Sequence, residues 1–134
     1  MRHDVVKKFI EAFVVVHQSH RYLSLISSKK GYKKFLGALS HKIELNSSMT
    51  SIPPDKQSLE LIMSILPCTK NARAYVISEN SEFDGTELTA LEGLQLIYCS
   101  GFTSFLVIHD KDLICYCEGE GANKRLYGIS KAPI

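Results

Sequence analysis

Apolar residues return at three- and four-residue steps through Val5, Val6, Phe9, Ile10, Phe13, Val16 and His17, with Lys7, Lys8 and Glu11 between them. That spacing predicts an amphipathic helix that starts near Asp4 as its N-cap and either continues through Tyr22, Leu23 and Ile26 or breaks near Ser19. Ser27-Ser28 suits the cap of a second helix carrying Tyr32, Phe35, Leu36, Leu39 and Ile43, in which Gly31 and Gly37 each cost about 1 kcal/mol relative to alanine. Leu45 to Pro54 reads as a serine-containing loop. Asp55 then opens a third helix with Leu59, Ile62, Met63 and Leu66 on one stripe, stopped by Pro67.

The period changes after residue 70. Ala74 to Ser78 is a short apolar run rich in β-branched and aromatic residues, with the look of an inner strand buried on both faces. A polar loop from Glu79 to Glu87 follows, turned at Asp84-Gly85. Thr89 and Glu92 have capping-box spacing ahead of a helix bearing Leu91, Leu94, Ile97 and Tyr98, which Ser100-Gly101 ends. Phe102 to His109, Leu113 to Glu118 and Lys124 to Ile129 are three further β-rich runs joined by turns. The expectation is an α+β domain, with a small, mainly antiparallel sheet of order β-α-β-β-β. One face of the sheet carries the Thr89 helix, and the N-terminal helices are the only material left to cover the other.

A chain of 134 residues with 45% hydrophobic content is long enough for one core, so residues 1–67 read as the helical layer and 68–134 as the sheet-forming part of a single domain. The apolar run Phe13 to Val16 is too short to span a bilayer, and Lys7, Lys8 and Glu11 interrupt any signal peptide. A cytoplasmic protein with no membrane contact is expected. Cys68, Cys99, Cys115 and Cys117 then read as thiols, the last two as small core residues on one side of a strand.

Charge divides the chain. Residues 1–45 carry nine Lys/Arg and three acids, a net +6, and the remainder nets −4, within the overall +2. Such a bipolar molecule can steer a partner. Arg21, Lys29, Lys30, Lys33, Lys34, His41 and Lys42 are the candidate binding residues. Lys29/Lys33 and Lys30/Lys34 stack along a helix face, where they match phosphate oxygens, and Tyr22 and Tyr32 lie between as base-stacking rings. A solvated helix face gives the same letters.

Candidate catalytic groups are all carboxylates and their neighbours: Glu79 and Asp84 in the loop after the first inner strand, and Glu118, Glu120 and Arg125 around the glycine-flanked second hairpin. Two carboxylates on one side of a strand would split their pKa values and could do acid–base work if buried. A capping loop and a hairpin turn explain them without chemistry. The acidic loop lacks the ligand spacing of a calcium loop, and His17/His20 with Cys115/Cys117 lack zinc-site spacing, so neither metal nor cofactor is expected. Pairing of Cys99 or Cys117 with His109 as nucleophile and base stays open.

The segments Tyr75-Val76-Ile77-Ser78-Glu79-Asn80, Asp84-Gly85 and Glu118-Gly119-Glu120 together resemble small bacterial proteins that have no activity attached to them. The resemblance implies a compact bacterial domain and no mechanism. The leading expectation is a binding protein that meets its partner through the basic helical face or the acidic loops. The partner would be another protein, a polyanion or a second copy in a homodimer. The alternatives are a small hydrolase or transferase gathering Glu79, Asp84, Glu118 and Arg125 in one pocket, and an RNA- or DNA-binding accessory protein.

Overall fold

The computed structural model describes residues 2–119 and 124–130. Among them the elements run α1 (His3–Phe13), α2 (Val16–Leu25), α3 (Lys29–Gly37), β1 (Met49–Ser51), a 3-10 turn (Pro54–Lys56), α4 (Leu59–Ile65), β2 (Arg73–Ser78), β3 (Glu87–Thr89), α5 (Ala90–Ile97), β4 (Ser104–His109), β5 (Leu113–Glu118) and β6 (Arg125–Ser130). The six strands form one sheet in the order β1-β6-β5-β4-β2-β3, and every neighbouring pair is antiparallel. The fold is α+β, with helices packed on a sheet.

The apolar positions account for the layers. Strands β2, β4 and β5 are buried along nearly their whole length, because side chains alternate between two covered faces. On one face Tyr75, Ile77, Phe105, Val107, Cys115 and Cys117 meet Val5, Phe9, Phe13, Tyr22 and Phe35 of α1–α3. On the other Val76, Leu106, Ile108, Ile114 and Tyr116 meet Ile62 of α4 and Leu94 and Ile97 of α5. The N-terminal helices do cover the second face. The lysines and arginine of α2 and α3 lie exposed on the outside of this helical layer.

Several boundaries differ from the sequence expectation. The strand pattern gains β1 and β3, so the order around α5 is β-β-α-β-β-β in place of β-α-β-β-β, and part of the Leu45–Pro54 loop is an edge strand paired with β6. The first helix begins at His3 behind Arg2, and Asp4 sits in its first turn, hydrogen-bonded by the Arg2 guanidinium. It stops at Phe13, well before Ser19. Val14 bridges Leu45 and the Val15 amide donates to the Glu44 carbonyl, so a strand-like pairing takes over where the helix would continue. Ser28 caps α3 through the Gly31 amide, and Ser58 rather than Asp55 caps α4 through the Leu61 amide. The Thr89–Glu92 capping box of α5 is present in full.

The two glycines of α3 have opposite roles. A Cβ on Gly31 would run into the Leu25 carbonyl oxygen where α2 and α3 meet, whereas a Cβ on Gly37 would meet nothing within 4 Å. Gly31→Ala is therefore expected to lose about 1–3 kcal/mol through a backbone clash. Gly37→Ala should gain roughly 0.4–1 kcal/mol by restricting the unfolded chain. Urea denaturation of both variants reads the difference, and equal effects would contradict the close approach at Gly31.

Candidate functional site

Among the described residues, buried polar side chains gather at one end of the sheet, on the α5 face. The register sets Ser78, Ser104, Glu118 and Arg125 side by side across β2, β4, β5 and β6. The Ser78 and Ser104 hydroxyls share a buried hydrogen bond of 2.7 Å. Beside them Glu118 and Arg125 form an ion pair whose side chains are only 3% and 7% exposed. Arg125 donates from Nε to Glu118 Oε1 and from Nη2 to Oε2, each at 3.0 Å. Its remaining contacts are Gln57 Oε1 at 3.1 Å, the Cys99 thiol at 3.3 Å and the face of the Tyr98 ring, 4.5 Å from the guanidinium carbon.

Glu118 is fully used by this arrangement. Oε1 also accepts from the Tyr116 hydroxyl at 2.5 Å, and Oε2 accepts from the Cys99 amide at 3.1 Å. Each oxygen thus has two donors, which leaves neither free for a substrate. The hydrogen bond to Glu118 holds the Arg125 guanidinium protonated far above its usual range, and burial followed by the Glu118 hydrogen bond pushes the Tyr116 phenol up. Cys99 adopts φ +58°, a left-handed conformation uncommon outside glycine, with its amide on Glu118 and its thiol on Arg125. The sequence marks Glu118 and Arg125, and Cys99 only as a possible partner of His109, but gives no sign of Gln57, Tyr98 or Tyr116 at this site. Only the same-face spacing of Tyr116 and Glu118 in a strand could have pointed to one of them.

The other carboxylates are dispersed. Glu79 accepts from the Thr103 amide at 2.9 Å. Asp84 accepts from the Ser78 amide at 2.9 Å and from the Tyr32 hydroxyl at 2.7 Å, which ties the loop after β2 to α3. Burial raises the Asp84 carboxyl above the usual carboxylate range, opposed by those two hydrogen bonds. Glu118 and Arg125 are joined, but Glu79 and Asp84 make separate, local contacts, so the four do not gather around one substrate. Glu120, the expected partner of Glu118, lies outside the described residues.

A thiol–imidazole pair is not formed either. His109 and Phe105 stand at opposite ends of β4, roughly 13 Å apart along the strand. Cys117 pairs with Phe105, and Cys99 sits on Arg125 at that same end. Burial raises the Cys117 thiol to about 12 and lowers the His109 imidazole. Among the described residues no three His, Cys, Asp or Glu side chains converge as metal ligands.

The basic positions behave differently. Arg21, Lys29, Lys30, Lys33, Lys34, His41 and Lys42 are all exposed, and among the described residues none takes part in a salt bridge. Along α3 the lysines occupy one arc while Gly31 and Phe35 are buried and Tyr32 and Leu36 half-buried on the other. Ser28, Tyr32 and the packing of Phe35 against Tyr22 fix the helix, so the lysines project from a rigid element. Among the described residues no helix is long and apolar enough to cross a membrane. No protein-family model, curated protein or solved structure matches the chain, and the likeness to small bacterial proteins finds no support there.

Proposed function

We propose that the protein is a cytoplasmic binding module that meets an anionic partner with the outer face of α2 and α3. One contrast carries the reading: among the described residues the acidic candidates Glu79, Asp84 and Glu118 are engaged in hydrogen bonds within the fold, while the basic ones are exposed and unpaired. Binding through the basic face leaves the interior intact. Acid–base work at Glu118 would require breaking a pair held by four donors, which disfavours the enzyme reading. Four free cysteines fit a reducing compartment.

Heparin serves as the test polyanion. At low salt the protein should be retained, and the logarithm of its affinity should fall linearly with that of salt, because each neutralised anionic group releases counterions. Changing Lys29, Lys30, Lys33 and Lys34 together to glutamine should flatten that slope by about 3, at roughly 0.7 per contact on a single-stranded polyanion. Absence of retention at low salt, or an unchanged slope in the quadruple variant, would remove the basic face as the partner surface.

A further inference from the structure

A cavity of about 330 Å³ opens at the polar end of the sheet, on the α1–α3 face and on the other side of the strands from the Glu118–Arg125 pair. It is near the lower end of the ~300–1,000 Å³ range of small-molecule sites. Extending the ladder one residue past Ser104↔Glu118↔Arg125 sets Thr103, Gly119 and Lys124 in one row. The next row inward on this face is Phe105, Cys117 and Leu126. Leu39, Ile43 and Leu45 close the opposite wall, and His41 and Lys124 stand at the rim.

This is an apolar slot with a polar, cationic mouth. Gly119 brings no side chain between Thr103 and Lys124, so the outer row has a notch at its centre; a Cβ there would collide with Lys124. Thr103 is only 5% exposed, yet its hydroxyl has no hydrogen-bond partner among the described residues. Every sealed side-chain oxygen or nitrogen among those residues has a partner, so this hydroxyl opens on the cavity it lines. Open on the cavity, the hydroxyl is free to donate to an acceptor placed there. Glu79 flanks Thr103 on the side away from Gly119, and the Thr103 amide occupies its Oε1. Glu79 does not line the cavity, and among the described residues that line it the charged side chain at the notch is Lys124.

We infer that this cavity binds a medium-chain carboxylate, with the alkyl chain on Phe105, Leu126, Leu39, Ile43 and Leu45 and the carboxylate between the Thr103 hydroxyl and the Lys124 ammonium. Burial keeps Cys117 a neutral thiol, so the floor carries no charge to oppose an alkyl chain. The complementarity has two parts. Apolar surface without a neighbour favours the chain, and a donor and a cation without an acceptor among the described residues favour the head group.

Calorimetric titration of the full chain with sodium octanoate and with octan-1-ol separates the two parts. One saturable octanoate site is expected, with the alcohol about tenfold weaker because it forfeits a charged hydrogen bond. Lys124→Glu should weaken octanoate by about tenfold or more and leave the alcohol unchanged; Thr103→Val, which keeps the side-chain shape, should weaken octanoate several-fold. Lys124 is exposed and the valine fills the volume of the threonine, so both variants keep the fold, as circular dichroism would verify. Absence of saturable octanoate binding, equal affinity for the alcohol, unchanged affinity in Lys124→Glu, or a second copy of the chain occupying the slot in place of octanoate would each overturn the assignment. Loss of heparin retention in the α3 lysine variant leaves this result unaffected, since none of those four lysines lines the cavity.

Discussion

Arg125→Met is expected to destabilise the protein by about 3–5 kcal/mol, because it leaves Glu118 charged and buried without its counter-ion. The methionine covers the Tyr98 ring and fills much of the guanidinium's volume, so packing accounts for little of the loss. What is lost is the bidentate pair and the bonds to Gln57 and Cys99. Combining Arg125→Met with Glu118→Gln should return most of the stability. The amide keeps an acceptor for Tyr116 while removing the stranded charge, and a buried ion pair is often worth no more than neutral groups of the same shape. Urea denaturation of wild type, both single variants and the double gives the coupling energy. Additive losses in the double variant would mean that the pair stabilises the native state in its own right.

Phe9→Ala should cost a similar amount, about 3–5 kcal/mol. Phe9 is fully buried, with its ring centroid 4.8 Å from that of Phe105 on the sheet and 6.2 Å from that of Phe13. Truncation opens a cavity between a helix and a strand, two rigid elements that cannot collapse to fill it. The loss should be global: the unfolding midpoint falls as one transition, and limited proteolysis of the wild type releases no stable fragment lacking α1–α3. A loss below about 1 kcal/mol would make the helical layer an appendage.

The helices were legible because a stripe such as Val5, Phe9 and Phe13, or Leu94 and Ile97, is written in the spacing of apolar residues and stays true after packing. The inner strands were legible for a related reason: burial on both faces demands an unbroken apolar run. Strands β1 and β3 were not. Met49-Thr50-Ser51 and Glu87-Leu88-Thr89 are short, largely polar edges whose conformation is imposed by β6 and β2, and pairing leaves no periodic mark in three residues. The end of α1 escapes the apolar pattern for a comparable reason. Phe13 to Val16 continues the apolar pattern, and it is the distant segment Glu44–Asn46 that pairs with the backbone where the helix ends.

The candidate sites divided along the same line. Exposure of the lysines followed from helical phase, which is local. The fate of the carboxylates did not, since burial of a charge depends on which strand lies opposite. Glu118 and Arg125 read as residues where two strands meet a turn, yet they face each other across the hairpin and close a buried ion pair. Thr103 carried no signal at all, because an unanswered hydroxyl becomes visible only once its surroundings are known.

The pairing of β1 with β6 has a consequence for the order of assembly. Met49–Ser51 finds its partners at Leu126–Gly128, with the whole of residues 52–125 between them. During synthesis on the ribosome the three N-terminal helices therefore emerge with their apolar sides uncovered, and the surface that answers them arrives only with the later strands. A nascent chain paused before β6 would hold Glu118 without Arg125 and β1 without a neighbour, a state suited to a holdase chaperone rather than to a settled fold.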